Sequence, residues 1–276
     1  MNHLEWKWRA ADGRILYAQS WQPESGPRAV VCLVHGHGEH AGRYAHVGAA
    51  LSGAGYALLG YDLRGHGQSE GQRGHTPSYE ALLDDVAGTL QQAEEHFPGR
   101  PRFLYGHSLG STLVLSYGSR RQPQLAGVVS SGALLHTPLE QQALKIALAR
   151  LMNRLTPATA LATGLDPETI SRDPEVVRAY RNDPLVHDRI TFRMASETLA
   201  AMRSTLAQAG EFCLPLLIMH GGADRLCFPE GSREFAAQVK GDCTLKIWDG
   251  LYHEIHNEPE KEQVLEFTIA WLDAHS

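Results

Sequence analysis

Arg102-Phe103-Leu104-Tyr105-Gly106-His107-Ser108-Leu109-Gly110 is the stretch from which the rest of the chain can be read. Its first four residues are a short apolar run of the kind that forms a strand buried on both faces, and Leu109 to Arg121 continues with a helical pattern. The turn between them is Gly-x-Ser-x-Gly. In such a turn a strained serine is raised between strand and helix, and small residues on either side prevent a clash between the two. The helix N-terminus that follows supplies backbone N–H groups and a positive dipole end beside the serine, where an oxyanion would develop. A bare pentapeptide of this type could be only a structural turn; its place between strand and helix marks Ser108 as a nucleophile.

Working outward, further apolar runs at Ala29–Val34, Tyr56–Tyr61 and Leu125–Val129 predict buried strands, with helical stretches at Tyr44–Ala54 and Tyr79–Phe97 between them. Strands alternating with helices predict a parallel sheet covered on both faces. Ahead of them, Glu5–Arg9 and Ile15–Trp21 flank the turn-like Ala11-Asp12-Gly13 and predict a hairpin. The alternation stops near His136 and resumes with a strand at Leu214–Met219, a helix at Glu230–Lys240, a strand at Thr244–Trp248 and a helix at Lys261–Leu272. The fold class is therefore α/β, a mostly parallel doubly wound sheet. Residues 1–135 and 210–276 are expected to form its core, and 136–209 an inserted helical cap. Within the cap Leu144, Leu148, Leu151 and Leu155 recur at helical spacing, while Gln141, Lys145 and Arg150 take other faces.

Composition narrows the setting. With 43% hydrophobic and 20% charged residues among 276, the chain is globular rather than disordered. Its 31 acids against 25 bases give a net charge of -6 with no basic run, which argues against a nucleic-acid partner. Cys32, Cys213, Cys227 and Cys243 are scattered without a paired spacing, so reduced thiols are expected. Met1–Arg9 has no uninterrupted apolar stretch, and no segment approaches the roughly 20 apolar residues of a membrane span. The expected location is the cytoplasm, with contact to membranes peripheral and transient, through the cap. Oligomeric state is not encoded in any feature of the sequence.

A serine hydroxyl needs a base to take its proton and an acid to orient that base, and in this kind of fold the order along the chain is Ser, acid, His. Asp224, just after the strand ending near Met219, and His253, just after the strand ending near Trp248, meet that order at carboxyl ends of strands. Their competitors are Asp249, too close to His253 in sequence to face it easily, and His256, more naturally a polar wall. The run His35-Gly36-His37-Gly38-Glu39-His40 has two readings. In one, the backbone N–H of His37 joins that of Leu109 in an oxyanion hole. In the other, the histidines resemble a His-x-His-x-Asp-His metal motif, but Glu39 stands where Asp is usual and the doubly wound pattern is wrong for that fold. His253-Glu254-Ile255-His256 is not His-Glu-x-x-His either. No metal and no organic cofactor are expected. Asp62-Leu63-Arg64-Gly65-His66-Gly67-Gln68-Ser69 is read as a structural loop that supports the turn at Ser108.

Together these motifs, with Gly42-Arg43-Tyr44, Asp183-Pro184-Leu185, Ala223-Asp224-Arg225-Leu226 and Tyr252-His253, resemble the monoacylglycerol lipase and lysophospholipase branch of the α/β-hydrolase superfamily over nearly the whole chain. The resemblance implies a mobile cap, an acyl-binding tunnel, and hydrolysis of glycerol esters carrying one fatty acyl chain. It also implies a polar pocket for the alcohol half, at positions matching Glu39, Arg43 and His256. The chain departs from the family at His37, commonly a small residue, and at Leu109-Gly110-Ser111, where Met-Gly-Gly is frequent. On the same scaffold a lysophospholipase or short-chain carboxylesterase would read similarly. A non-catalytic receptor would be expected to have lost one of Ser108, Asp224 and His253.

Overall fold

The computed structural model describes residues 1–276. The opening hairpin pairs β1 (Asn2–Arg9) with β2 (Ile15–Gln22) around Ala11–Gly13. Then β3 (Ala29–Val34), α1 (Ala45–Gly53), β4 (Tyr56–Tyr61), α2 (Tyr79–His96), β5 (Arg102–His107), α3 (Leu109–Arg121) and β6 (Gly127–Ser131) alternate. The insertion contributes α4 (Ala143–Leu155), β7 (Ala160–Ala162), α5 (Pro174–Asn182), β8 (Arg189–Thr191) and α6 (Phe192–Ala207). β9 (Leu216–Gly221), α7 (Pro229–Gln238), β10 (Cys243–Trp248) and α8 (Lys261–Ala274) complete the chain.

Eight strands form one sheet in the order β1-β2-β4-β3-β5-β6-β9-β10, antiparallel at β1/β2 and β2/β4 and parallel elsewhere. The order reverses at β3, so its carboxyl end and that of β5 open onto a crevice of the kind in which α/β sheets bind ligands. Each sheet face has its own apolar layer. Leu82 and Val86 of α2 and Leu113 of α3 pack on one side, and Val47 and Leu51 of α1 with Val264 and Trp271 of α8 on the other. This double burial is why the central strands carry continuous apolar runs rather than alternation.

β6 and β9 both begin and end two residues later than their apolar runs suggest. They extend into Ser130-Ser131 and His220-Gly221, all buried. Small and polar residues end each strand because that edge borders the site, where hydrogen bonding replaces apolar packing.

In the insertion, α4 rests on α6 through Ile146, which contacts Leu199 and Met202. The leucine stripe is elsewhere: Leu144, Leu148, Leu151 and Leu155 are 52–84% exposed. Met194, Ala201 and Leu206 of α6 join the main core layer, so this helix ties the insertion to the sheet domain. No helix is long and apolar enough to cross a membrane.

Candidate active site

Ser108 joins β5 to α3 with φ 54° and ψ -117°, a conformation in the left-handed half of φ that is strained for a residue with a Cβ. Backbone bonds hold it there: Ser108 N–H donates to Ser131 O at 3.0 Å, and Thr112 N–H and Leu134 N–H donate to Ser108 O at 3.2 and 3.3 Å. The flanking glycines are close-approach positions. A Cβ on Gly106 would lie 2.6 Å from Ser111 Cα, and one on Gly110 would overlap the carbonyl oxygen of Val34 in the neighbouring strand.

Asp224 follows β9 and His253 follows β10, and the fold brings both to the carboxyl edge beside Ser108. His253 Nδ1–H donates to Asp224 Oδ2 at 2.6 Å, which leaves Nε2 without a protein partner. Asp224 is itself fully saturated. Its Oδ1 accepts the N–H groups of Leu226 and Cys227 at 2.8 and 3.0 Å, and its Oδ2 also takes His220 Nε2–H at 3.1 Å. His220 in turn receives the Ser232 hydroxyl on Nδ1 at 2.7 Å. Burial would raise the Asp224 carboxyl, but the neighbouring His253 and the hydrogen bonds from His220 and His253 outweigh it and hold the group well below the usual carboxylate range. Burial would depress His253, yet Asp224 reverses this and the imidazole lies above its ordinary value. Asp249 remains on the turn after β10 and makes no bond to His253.

His220 and Cys227 escaped the sequence reading. His220, the penultimate residue of β9, sits four residues before Asp224, and an i,i+4 pair at a strand's carboxyl edge was the available signal. Cys227 is buried beside the Ser108 hydroxyl, and burial together with Asp224 pushes its thiol well above the ordinary range. Ligand atoms of Asp224, Cys227 and His253 lie within 4.8 Å of one another. The carboxylate is already saturated and the thiol stays protonated, a poor donor set for an ion.

The N–H groups of His37 and Leu109 have no acceptor in the protein, and both residues line the cavity next to Ser108. Leu109 is the first residue of α3, so its N–H carries the helix's positive end. The adjacent Gly36 N–H is committed instead to Glu39 Oε1 at 2.7 Å. The His37 ring points away from Ser108 and into the insertion. Its Nε2–H donates to Arg189 O at 2.9 Å, and the ring packs edge-on to His66 and His187 at centroid distances of 5.1 and 5.6 Å.

The Asp62–Ser69 loop is structural. Asp62 accepts Ala41 N–H at 2.9 Å and Gln68 N–H at 2.8 Å, and Arg64 forms a two-pronged pair with buried Asp85 at 2.6 and 2.7 Å.

The three residues matched to an alcohol pocket separate. Glu39 lines the cavity, whereas Arg43 and His256 lie behind the wall and His256 is fully buried. Arg43 is withdrawn because Glu254, next to His253, claims it: Nη1 and Nη2 donate to Glu254 Oε1 and Oε2, each at 2.7 Å, and Nη1 also reaches Glu39 Oε2 at 2.7 Å. Above Ser108 lies a cavity of about 830 Å³. It is walled largely by apolar residues of the insertion and of the loops around it, among them Leu139, Ile146, Leu148, Leu161 and Phe192.

A family model described as "Serine aminopeptidase, S33" matches residues 25–260. The chain is 37% identical over 264 residues to the monoacylglycerol lipase of Mycolicibacterium smegmatis, covering 95% of this chain and 94% of that one. It is 35% identical over 95% of its length to an uncharacterized abhydrolase domain-containing protein of Dictyostelium discoideum, of which it spans 28%. The crystal structure of Paleococcus ferrophilus monoacylglycerol lipase superposes with a TM-score of 0.85 at 35% identity, over the full length of both chains. With the fold, the buried Asp224–His253 pair beside a strained serine and these likenesses all in agreement, the chain belongs to the monoacylglycerol lipase family of α/β hydrolases.

Proposed function

We propose that the protein cleaves monoacylglycerols to glycerol and fatty acid in two steps, with Ser108 as nucleophile, His253 as general base and acid, and Asp224 as the group that orients it. The observation that carries this reading is the 2.6 Å bond from His253 Nδ1 to Asp224, which leaves Nε2 as the free nitrogen in a cavity shared with Ser108. His253 takes the hydroxyl proton as Ser108 attacks the ester carbonyl, then delivers it to the leaving glycerol oxygen; water cleaves the acyl-enzyme by the same route. The N–H groups of His37 and Leu109 hold the oxyanion. Residues 136–209 act as the cap, and the apolar walls they contribute take the acyl chain. The test is release of fatty acid from a panel of monoacylglycerols, lysophospholipids and short nitrophenyl esters, with fluorophosphonate labelling at Ser108.

Only neutral His253 can accept the proton, so kcat/KM should rise with pH. Because Asp224 holds the imidazole above its ordinary value, the midpoint is expected above about 6.5. Asp224→Asn removes that support. It should move the midpoint downward while lowering the plateau by about 10⁴-fold. A profile flat from pH 6 to pH 8 in the parent enzyme would exclude His253 as the base.

The same reading makes this a cytoplasmic enzyme that visits lipid surfaces through α4. Leu144, Leu148, Leu151 and Leu155 present an unpartnered apolar stripe at the cavity mouth, and Leu148 also lines the cavity. Lys145, Arg150 and Arg154 on the same helix suit the edge of an anionic bilayer. The protein should float with anionic liposomes, and Leu144→Glu with Leu151→Glu should abolish flotation without changing hydrolysis of a monomeric ester. Failure of the parent protein to float removes this part of the proposal.

A further inference from the structure

The proposed reading places the acyl chain under the cap, which leaves the other end of the cavity, at Glu39, Tyr180 and Glu254, for the alcohol half of the ester. The charge of that end is set by one cation and two carboxylates. Arg43 gives Nη1 to both Glu39 and Glu254 and Nη2 to Glu254, the ring of Tyr180 covers its guanidinium at 4.8 Å, and its side chain is 9% exposed. Glu39, Glu254 and Tyr180 reach the cavity wall; Arg43 does not. Burial and the neighbouring Glu254 push the Glu39 carboxyl upward, but every hydrogen-bond partner of both carboxylates is a donor, an arrangement that fits two carboxylates against one guanidinium and a net charge of -1 at the wall. The lysine and arginine that do line the cavity, Lys145 and Arg225, are both exposed to solvent.

The geometry is held from several sides. Asn257 Nδ2–H donates to Glu254 Oε2 at 2.7 Å, and the Glu254 N–H is bonded to Ile170 O of the cap at 2.8 Å. The Tyr44 hydroxyl and Gly36 N–H occupy Glu39 Oε1 at 2.9 and 2.7 Å. A carboxylate has about four acceptor positions. On that count Glu39 Oε2 and Glu254 Oε1 each keep one free, and both flank the same Arg43 nitrogen. A monoacylglycerol retains two hydroxyls, two donors for two acceptors. A phosphate or carboxylate on the alcohol brings acceptors and negative charge to a wall that offers the same.

We propose that Glu254 is a specificity-determining residue. By claiming Arg43 it makes the alcohol end of the cavity accept hydroxyls and refuse anions, so that the substrate class is esters of uncharged polyols and phosphoglycerol esters are excluded. This rests on the reading of the cavity as a monoacylglycerol site.

The test compares kcat/KM for 1-lauroylglycerol and 1-lauroylglycerol 3-phosphate, which share an acyl chain, below their aggregation concentrations. The parent enzyme should prefer the uncharged ester by about 100-fold or more, as expected for like charges in close approach at a partly dry site. Glu254→Gln, which neutralises the trio while leaving one oxygen to Arg43, should reduce that ratio at least about tenfold. The ratio cancels any loss common to both substrates, so a merely structural role for Glu254 would not move it. Comparable rates of the parent enzyme on the two esters would overturn the inference and leave the proposed function standing. An unchanged ratio in folded Glu254→Gln would overturn the role of Glu254. Cleavage of neither ester would remove the proposed function and this inference with it. If Glu254→Gln does not fold, the parent comparison still decides whether anions are refused, and inhibition of the parent by glycerol 3-phosphate as strong as by glycerol would overturn it.

Discussion

Ser108→Ala is expected to lower turnover of a monoacylglycerol by a factor on the order of 10⁶ while leaving the fold intact. The loss is large because Ser108 is the group proposed to attack, and without its hydroxyl Asp224 and His253 have no nucleophile to serve. Alanine keeps the fold because the three hydrogen bonds that hold residue 108 in its strained conformation are all made by its backbone. The residual rate should be that of the oxyanion donors and the cavity alone, which in other serine hydrolases still amounts to about 10³–10⁴ over water. The measurements are fatty-acid release, fluorophosphonate labelling and a thermal melt of the same preparation. A folded Ser108→Ala protein with near-normal turnover would mean that some other group is the nucleophile.

The positions of Ser108, Asp224 and His253 at one edge were legible in the sequence because each lies on a loop at the carboxyl end of a strand, and the parallel sheet carries all such ends to one edge. What that rule could not supply was anything depending on side chains meeting from remote parts of the chain. Arg43 and Glu254 are 211 residues apart, and no local pattern says that one will claim the other. Hence Arg43 was read as a pocket residue when it is a buried partner. The His37 ring shows the same limit. Its position after β3 was readable, but its bond to Arg189 of the insertion, 152 residues away, was not. The leucine stripe of α4 was legible as a face, yet periodicity does not say which face is packed. Ile146, outside the stripe, turned out to make the contact with α6.

Lowering the pH from 7.5 to 5 is expected to lower the protein's folding stability by roughly 4 kcal/mol. His35, His66, His107 and His256 are each no more than 1% exposed, and the last three lack a partner on at least one ring nitrogen. Burial foremost, with added repulsion from nearby basic groups, drives them down, His35 and His256 to about 3 and His66 and His107 well below their ordinary value. The sign follows from linkage. Near pH 5 the unfolded chain protonates these imidazoles and the folded one does not, so stability is full above about 6.5 and falls as pH drops toward the folded values. His35 and His256, held at about 3, then cost about 2 kcal/mol each at pH 5, and His66 and His107 add to the loss in the same direction, against a total stability of about 5–15 kcal/mol for a typical domain. His253 works in the opposite sense, since its raised value adds stability that is complete below about 6.5, so it does not change the slope between 6.5 and 5. Asp224 and Glu254, both depressed, begin to lose their contribution only below about 4. Urea titrations followed by tryptophan fluorescence at pH 7.5, 6, 5.5 and 5 measure the slope directly. His256→Gln, although weaker at pH 7.5, should recover about 2 kcal/mol of the difference between pH 7.5 and pH 5. A parent protein equally stable at both would mean that these four rings take up protons in the folded state, and hence that their surroundings are open to water.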